Sequence, residues 1–149
     1  MNVKQVLAAI DFSASTAGVA MLAEELAAAS EAEITLLHVA APDPDFVGLD
    51  VGPQYVRDAR AQELQEERHE LQRMSEELRS RGRNARGLVC EGPTVQTILV
   101  EAKTREADII IVGSHGRGRV ARALLGSVSS GVLKEATCPV VVVPCRPEP

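Results

Sequence analysis

Aromatic side chains are nearly missing: the 149 residues hold one tyrosine, two phenylalanines and no tryptophan, namely Tyr55, Phe12 and Phe46. So few rings leave no stacking platform of the kind single-strand nucleic-acid binders and most flavin sites use. Cysteine is scarce too. Cys90, Cys138 and Cys145 are an odd number with no CxxC spacing, which argues against a secreted disulfide framework and fits a reducing cytosol. No apolar run approaches the roughly 20 residues of a membrane span. Met1-Asn2-Val3-Lys4-Gln5 passes straight into a strand pattern without the features of a signal peptide. A cytoplasmic protein without membrane contact is expected. Positive charge is the last shortage. Sixteen Lys and Arg against 21 Asp and Glu give a net charge of −5, so the chain as a whole repels phosphate backbones and no nucleic-acid partner is expected.

What is present is a globular composition, 45% hydrophobic and 25% charged, at a length that suits one domain spanning residues 1–149. Four continuous apolar runs, Val3 to Ile10, Ile34 to Val39, Ile109 to Val112 and Val140 to Val143, read as parallel strands buried on both faces. A weaker run, Ala85 to Glu91, suits an edge. Between them the apolar period becomes helical: Val19, Leu22, Ala23 and Leu26 form one stripe, and Val95, Ile98, Leu99 and Ala102 another. A charged stretch from about Pro53 to Arg81 carries Leu64, Leu71, Met74 and Leu78 on a narrow seam. Its acids and bases are interspersed, as in Glu77 and Arg81 at i, i+4, so it reads as a solvated surface helix ended by Gly82. Ala40 to Gly52, rich in Pro and Gly, reads as the one long loop. The alternation predicts an α/β fold, an open parallel sheet sandwiched by helices.

In such sheets ligands sit beyond the carboxyl ends of the strands. Two segments are placed there. Asp11-Phe12-Ser13-Ala14-Ser15-Thr16 follows the first strand, with Ser13 or Ser15 expected to cap the next helix. Gly113-Ser114-His115-Gly116-Arg117-Gly118-Arg119 follows the fourth. Its glycines allow sharp bending and let amides face a ligand, and Gly113 to Arg122 holds three arginines and no acid. Further on, Gly126-Ser127 precedes Val128, Val132 and Ala136 at helical spacing, with Ser127 expected as N-cap. A helix N-terminus there offers amides and partial positive charge to phosphate.

The run Gly113-x2-Gly116-x9-Gly126-Ser127 is the motif of the universal stress protein family, which the sequence resembles over nearly its whole length. Val6-Leu7-Ala8-Ala9-Ile10-Asp11 resembles the family's first strand and its acidic end, Leu36-Leu37-His38-Val39 its second, and Cys138-Pro139-Val140-Val141-Val142-Val143 its last. The resemblance implies a five-stranded parallel sheet in the order 3-2-1-4-5, of the adenine nucleotide alpha hydrolase-like type. It also implies binding of ATP or a related adenine nucleotide, with or without Mg2+. By position, Asp11 would lie by the ribose, Val39 would offer main-chain groups to adenine, and Gly113 would pass close to the sugar. Gly116, Gly126, Ser127 and Val128 would surround the phosphates. Many relatives dimerise through their final strand, here Val140, Val141, Val142 and Val143. Phe12 and the loop from Ala40 to Gly52 depart from the family pattern.

The residues also admit plainer readings. Asp11 can be a turn acid, Arg117 and Arg119 can be solubilising charges or phosphate contacts, and His115 a loop imidazole without metal-ligand neighbours. His38 and His69 read as structural or solvated, and the cysteines as small apolar fillers. Gly113 and Gly118 have P-loop spacing, but Arg119-Val120 replaces the Lys-Ser/Thr that phosphates and magnesium require. No catalytic residue is assigned: only Asp11 or His115 could orient a water, so at most slow ATP hydrolysis is expected. The leading expectation is a nucleotide-binding stress-response module that forms a homodimer. The alternatives are a dimeric scaffold without nucleotide and a weak ATP hydrolase or phosphotransferase.

Overall fold

A computed structural model describes residues 1–40, 54–115 and 125–145. Strands and helices alternate along them as β1 (Gln5–Ala9), α1 (Thr16–Ser30), β2 (Glu33–Ala40), α2 (Gln54–Ser80), β3 (Asn84–Glu91), α3 (Thr94–Thr104), β4 (Ile109–Gly113), α4 (Ser127–Glu135) and β5 (Val140–Val143). All neighbouring strands are parallel, and the sheet order is β3-β2-β1-β4-β5, the order the family resemblance implies. The weaker strand, β3, lies at one edge and β5 at the other. Apart from Ala40, which closes β2, the expected long loop lies outside the described residues.

Continuous apolarity in the strands follows from their two covered faces, since residues two apart share a face. Val6, Ala8 and Ile10, with Ile34 and Leu36, pack beneath α1 and α2 on Val19, Ala23, Leu71 and Leu78. Leu7, Leu37, Ile110 and Val112 face the other way and meet Ile98, Ala102 and Val132 from α3 and α4. The helical stripes read from the sequence are the ones that fill these two layers.

Strand ends shift from expectation for local reasons. β1 begins at Gln5 rather than Val3, and the Lys4 and Gln5 amides donate to Asp108 Oδ2 at 2.7 and 2.9 Å. β2 gains Glu33 and Ala40 because all eight of its residues pair with β3. The long helix is solvated as expected: of its 27 residues only Leu71, Ser75 and Leu78 are buried. Glu77 pairs with Arg81, which also reaches Glu24. Gly82, at φ +85°, follows its end and donates its amide to Arg79 O at 2.9 Å, the left-handed stop for which glycine is suited.

The first two crossovers put α1 and α2 on one face, and the next two put α3 and α4 on the other. The direction of winding therefore reverses between β1 and β4. There the loops at the carboxyl ends part and open a crevice. Among the described residues no helix is long and apolar enough to cross a membrane.

Candidate functional site

A cavity of about 300 Å3 occupies that crevice, a volume at the small end of the range for small-molecule sites. Its wall combines apolar side chains from four elements, Leu37 and Val39 of β2, Ile98 of α3, Val112 of β4 and Val128 of α4, with Asp11 beyond β1. Thr94 opens α3 at the cavity, and Ser127 opens α4 there. Neither helix has a side-chain cap at its N-terminus, so two positive helix ends face one space. Six of the nine residues singled out in the sequence are thereby brought together: Asp11, Val39, Gly113, Gly126, Ser127 and Val128. Gly116, Arg117 and Arg119 lie outside the described residues.

The start of α4 corrects one expectation. Gly126, not Ser127, is the N-cap: it is extended at φ −65° and ψ 164°, and Ser127 is already the first helical residue. The Gly126 amide is not open to a ligand either, because it donates to Ser114 O at 2.6 Å. That bond joins the two described ends of the glycine segment at the cavity rim. Ser129 reinforces the junction, its hydroxyl lying 3.1 Å from Ser114 O and 3.0 Å from Gly126 O. Ser114, Ser129 and Thr94 were not found by sequence reasoning. A serine or threonine in such a segment has no distinctive pattern, and only Ser114's place inside the Gly113-x2-Gly116 spacing marked it.

Gly113 has a packing role besides its place at the cavity. A β-carbon here would clash with Ser15 at the start of α1, whose own Cβ would stand only 2.8 Å away. The missing side chain thus lets α1 approach the sheet on the opposite face, while the Gly113 backbone lines the cavity. Asp11 acts as the turn acid of the plainer reading, since Oδ1 accepts from the Ser13 amide at 3.0 Å, and it lines the cavity as well. Ser15 occupies the N-cap of α1 without making a side-chain cap bond. Ser13 Oγ instead accepts from the Ser15 amide at 3.3 Å.

The remaining candidates fall away from the cavity. His38 is buried, with Nδ1 at 2.7 Å from Ile10 O and Nε2 at 2.8 Å from Glu67, and its ring packs on Phe12. It is structural, tying α2 to the sheet. His69 is exposed, and His115 Nδ1 lies 3.1 Å from Ser114 Oγ. Burial pushes the Cys90 and Cys138 thiols up from their ordinary value, which keeps them protonated and fits their role as fillers. Among the described residues no group of three His, Cys, Asp or Glu could hold a metal ion. A larger groove of about 1080 Å3 runs between α1 and α2, but glutamates such as Glu24, Glu63, Glu66 and Glu70 outnumber Arg73 and Arg81 in its lining. Both arginines are already paired with glutamates there, so the groove disfavours phosphate.

The model of the universal stress protein family matches residues 2–144. Among curated relatives, universal stress protein YxiE of Bacillus subtilis is 31% identical over 144 residues, covering 93% of this chain and 97% of the relative. Among solved structures, hypothetical protein MJ0577 superposes with a TM-score of 0.78 at 25% identity, over 99% of this chain and 100% of its own. A universal stress protein in complex with cAMP gives 0.69 at 21% identity, over 98% and 100% of the two chains. One from Archaeoglobus fulgidus in complex with dAMP gives 0.63 at 18%, over 95% and 98%. At these identities the last two show a shared fold.

Proposed function

The chain belongs to the universal stress protein family, and we propose that it binds an adenine nucleotide, ATP foremost, in the cavity between β1 and β4. The observation that carries this reading is the meeting of an apolar slot with two uncapped helix N-termini in one space. A nucleotide has the matching division into a flat heterocycle and an anionic tail. In this reading the base lies against Leu37, Val39 and Ile98, and the ribose lies by Asp11 and the Gly113 backbone. The phosphates run toward the amides of Ser127 and Val128, with Gly126, Gly116, Arg117 and Arg119 around them. Mg2+ would enter with the phosphates. Two solved members of the fold hold cAMP and dAMP, which supports an adenine ligand.

The nucleotide acts as a regulatory ligand of a cytoplasmic, single-domain stress-response module of residues 1–149, and the module works as a homodimer. The dimer reading is supported by the β5 edge. Pro139 O and Val143 O accept from Ile110 and Ser114 of the β4 side at 3.0 and 2.8 Å. Strand alternation therefore turns the backbone of Val140 and Val142 outward, ready for a second copy.

Calorimetric titration tests the binding reading. ATP, with and without Mg2+, should bind in the micromolar range and more tightly than GTP. No heat and no thermal shift up to millimolar ATP would defeat the reading. For the dimer, sedimentation at low micromolar concentration should show two copies, and Val142→Pro, which removes only an outward amide, should show one.

A further inference from the structure

One buried residue holds both functional regions and is explained by neither. The Ser114 amide donates to Val143 O at 2.8 Å, and its hydroxyl oxygen accepts from the Cys145 amide at 2.9 Å, so both backbone groups at the exit of β5 end on this residue. Its carbonyl accepts from the Gly126 amide at 2.6 Å and lies 3.1 Å from the Ser129 hydroxyl, so the first turn of α4 ends on it as well. We propose that Ser114 is a positioning residue through which occupation of the cavity is read at the β5 edge. The inference rests on the nucleotide reading above.

The physical basis is the sharing of one peptide unit. The Ser129 hydroxyl has a single proton and two carbonyls within reach, Ser114 O at 3.1 Å and Gly126 O at 3.0 Å, which gives the first turn of α4 two hydrogen-bond arrangements. Phosphate on the Ser127 and Val128 amides draws that turn toward the ligand and favours one of them. Ser114 is hydrogen-bonded on both sides and transfers the displacement to Val143 and Cys145. The edge strand is then held differently with the cavity filled than with it empty. This is the differential contact a ligand needs in order to shift an equilibrium.

Amide hydrogen exchange of residues 140–145 in the full chain, measured with and without saturating ATP, tests this. In the unaltered protein ATP should slow exchange across β5 by about fivefold or more. Ser114→Ala removes the hydroxyl, and Cys145→Pro removes the amide that it accepts without touching the cavity. Each, shown folded by thermal melting and saturated with ATP, should reduce that protection to less than about twofold. A structural role alone would lower the melting temperature and leave the ATP-induced protection intact. Protection of full size in both variants overturns the inference, as does an unaltered protein that binds ATP by calorimetry with no change in β5. Absence of calorimetric heat in the unaltered protein marks failure of the nucleotide reading itself, and the inference falls with it.

Discussion

The two ends of the same sheet solve the problem of unpaired backbone groups in opposite ways. At the amino end, where β1 and β4 begin, Asp108 accepts the amides of Lys4 and Gln5, so the chain supplies its own anion. At the carboxyl end, α3 and α4 begin without side-chain caps around a partly apolar cavity, and in the proposed reading the anion comes from a bound nucleotide. Parallel strands and helix crossovers are common to both ends. What distinguishes them is whether a carboxylate takes up the free amides: Asp108 does so for Lys4 and Gln5, whereas Asp11 at the cavity serves its own turn and caps neither α3 nor α4.

Closing the open end should have the largest effect. Ser127→Asp puts a carboxylate in the first turn of α4, where it suits the helix by about 0.5 kcal/mol and repels phosphate. ATP affinity should fall at least about 30-fold with no loss of melting temperature, as calorimetry and thermal melting would show. Unchanged affinity would mean that α4 is not the phosphate site. Next in size is Gly113→Ala, whose new methyl runs into Ser15 at the back of the site. It should cost about 2 kcal/mol of stability by denaturant titration, and a neutral result would mean that α1 does not press on Gly113.

Opening the closed end should matter less. Asp108→Asn keeps the shape and loses the charge, for about 1 kcal/mol. The Lys4 and Gln5 amides hold the Asp108 carboxyl below its ordinary value of 3.8, so the folded chain binds this proton less readily than the unfolded chain does. Stability from this group is complete above that value and is lost as pH falls through the lowered native one. Denaturant midpoints between pH 5 and 2 should therefore fall more steeply for the unaltered protein than for Asp108→Asn. Parallel curves would show that the two amide bonds contribute nothing.

Much of this was legible in the residues. Val6 to Ile10 and Ile109 to Val112 are continuously apolar because both of their faces are covered, and Val19, Ala23, Ile98 and Ala102 mark the faces that cover them. The order of the strands was not, since periodicity places residues on faces but does not say which strands are neighbours; it came from the Gly113-x2-Gly116-x9-Gly126-Ser127 resemblance. The family resemblance, carried over by position, put Asp11, Val39 and Ser127 at one site, and the end of β1 and the start of α4 pointed independently to Asp11 and Ser127. Sequence reasoning misplaced the N-cap of α4 at Ser127 rather than Gly126. It also did not find the second partners of Gly126 and Gly113, because a glycine's neighbours depend on what stands opposite it: the Ser114 carbonyl in one case, the Ser15 side chain in the other. Ser114 escaped notice for the same reason. Its importance lies in bonds to residues 12 to 31 positions away, and no local pattern reports such bonds.

Amide chemical shifts on titration with ATP test the contrast between the two ends most directly. The account predicts large shifts at Thr94, Ser127 and Val128, with Lys4 and Gln5 unmoved. Saturable binding that leaves the first turn of α4 unshifted would contradict it.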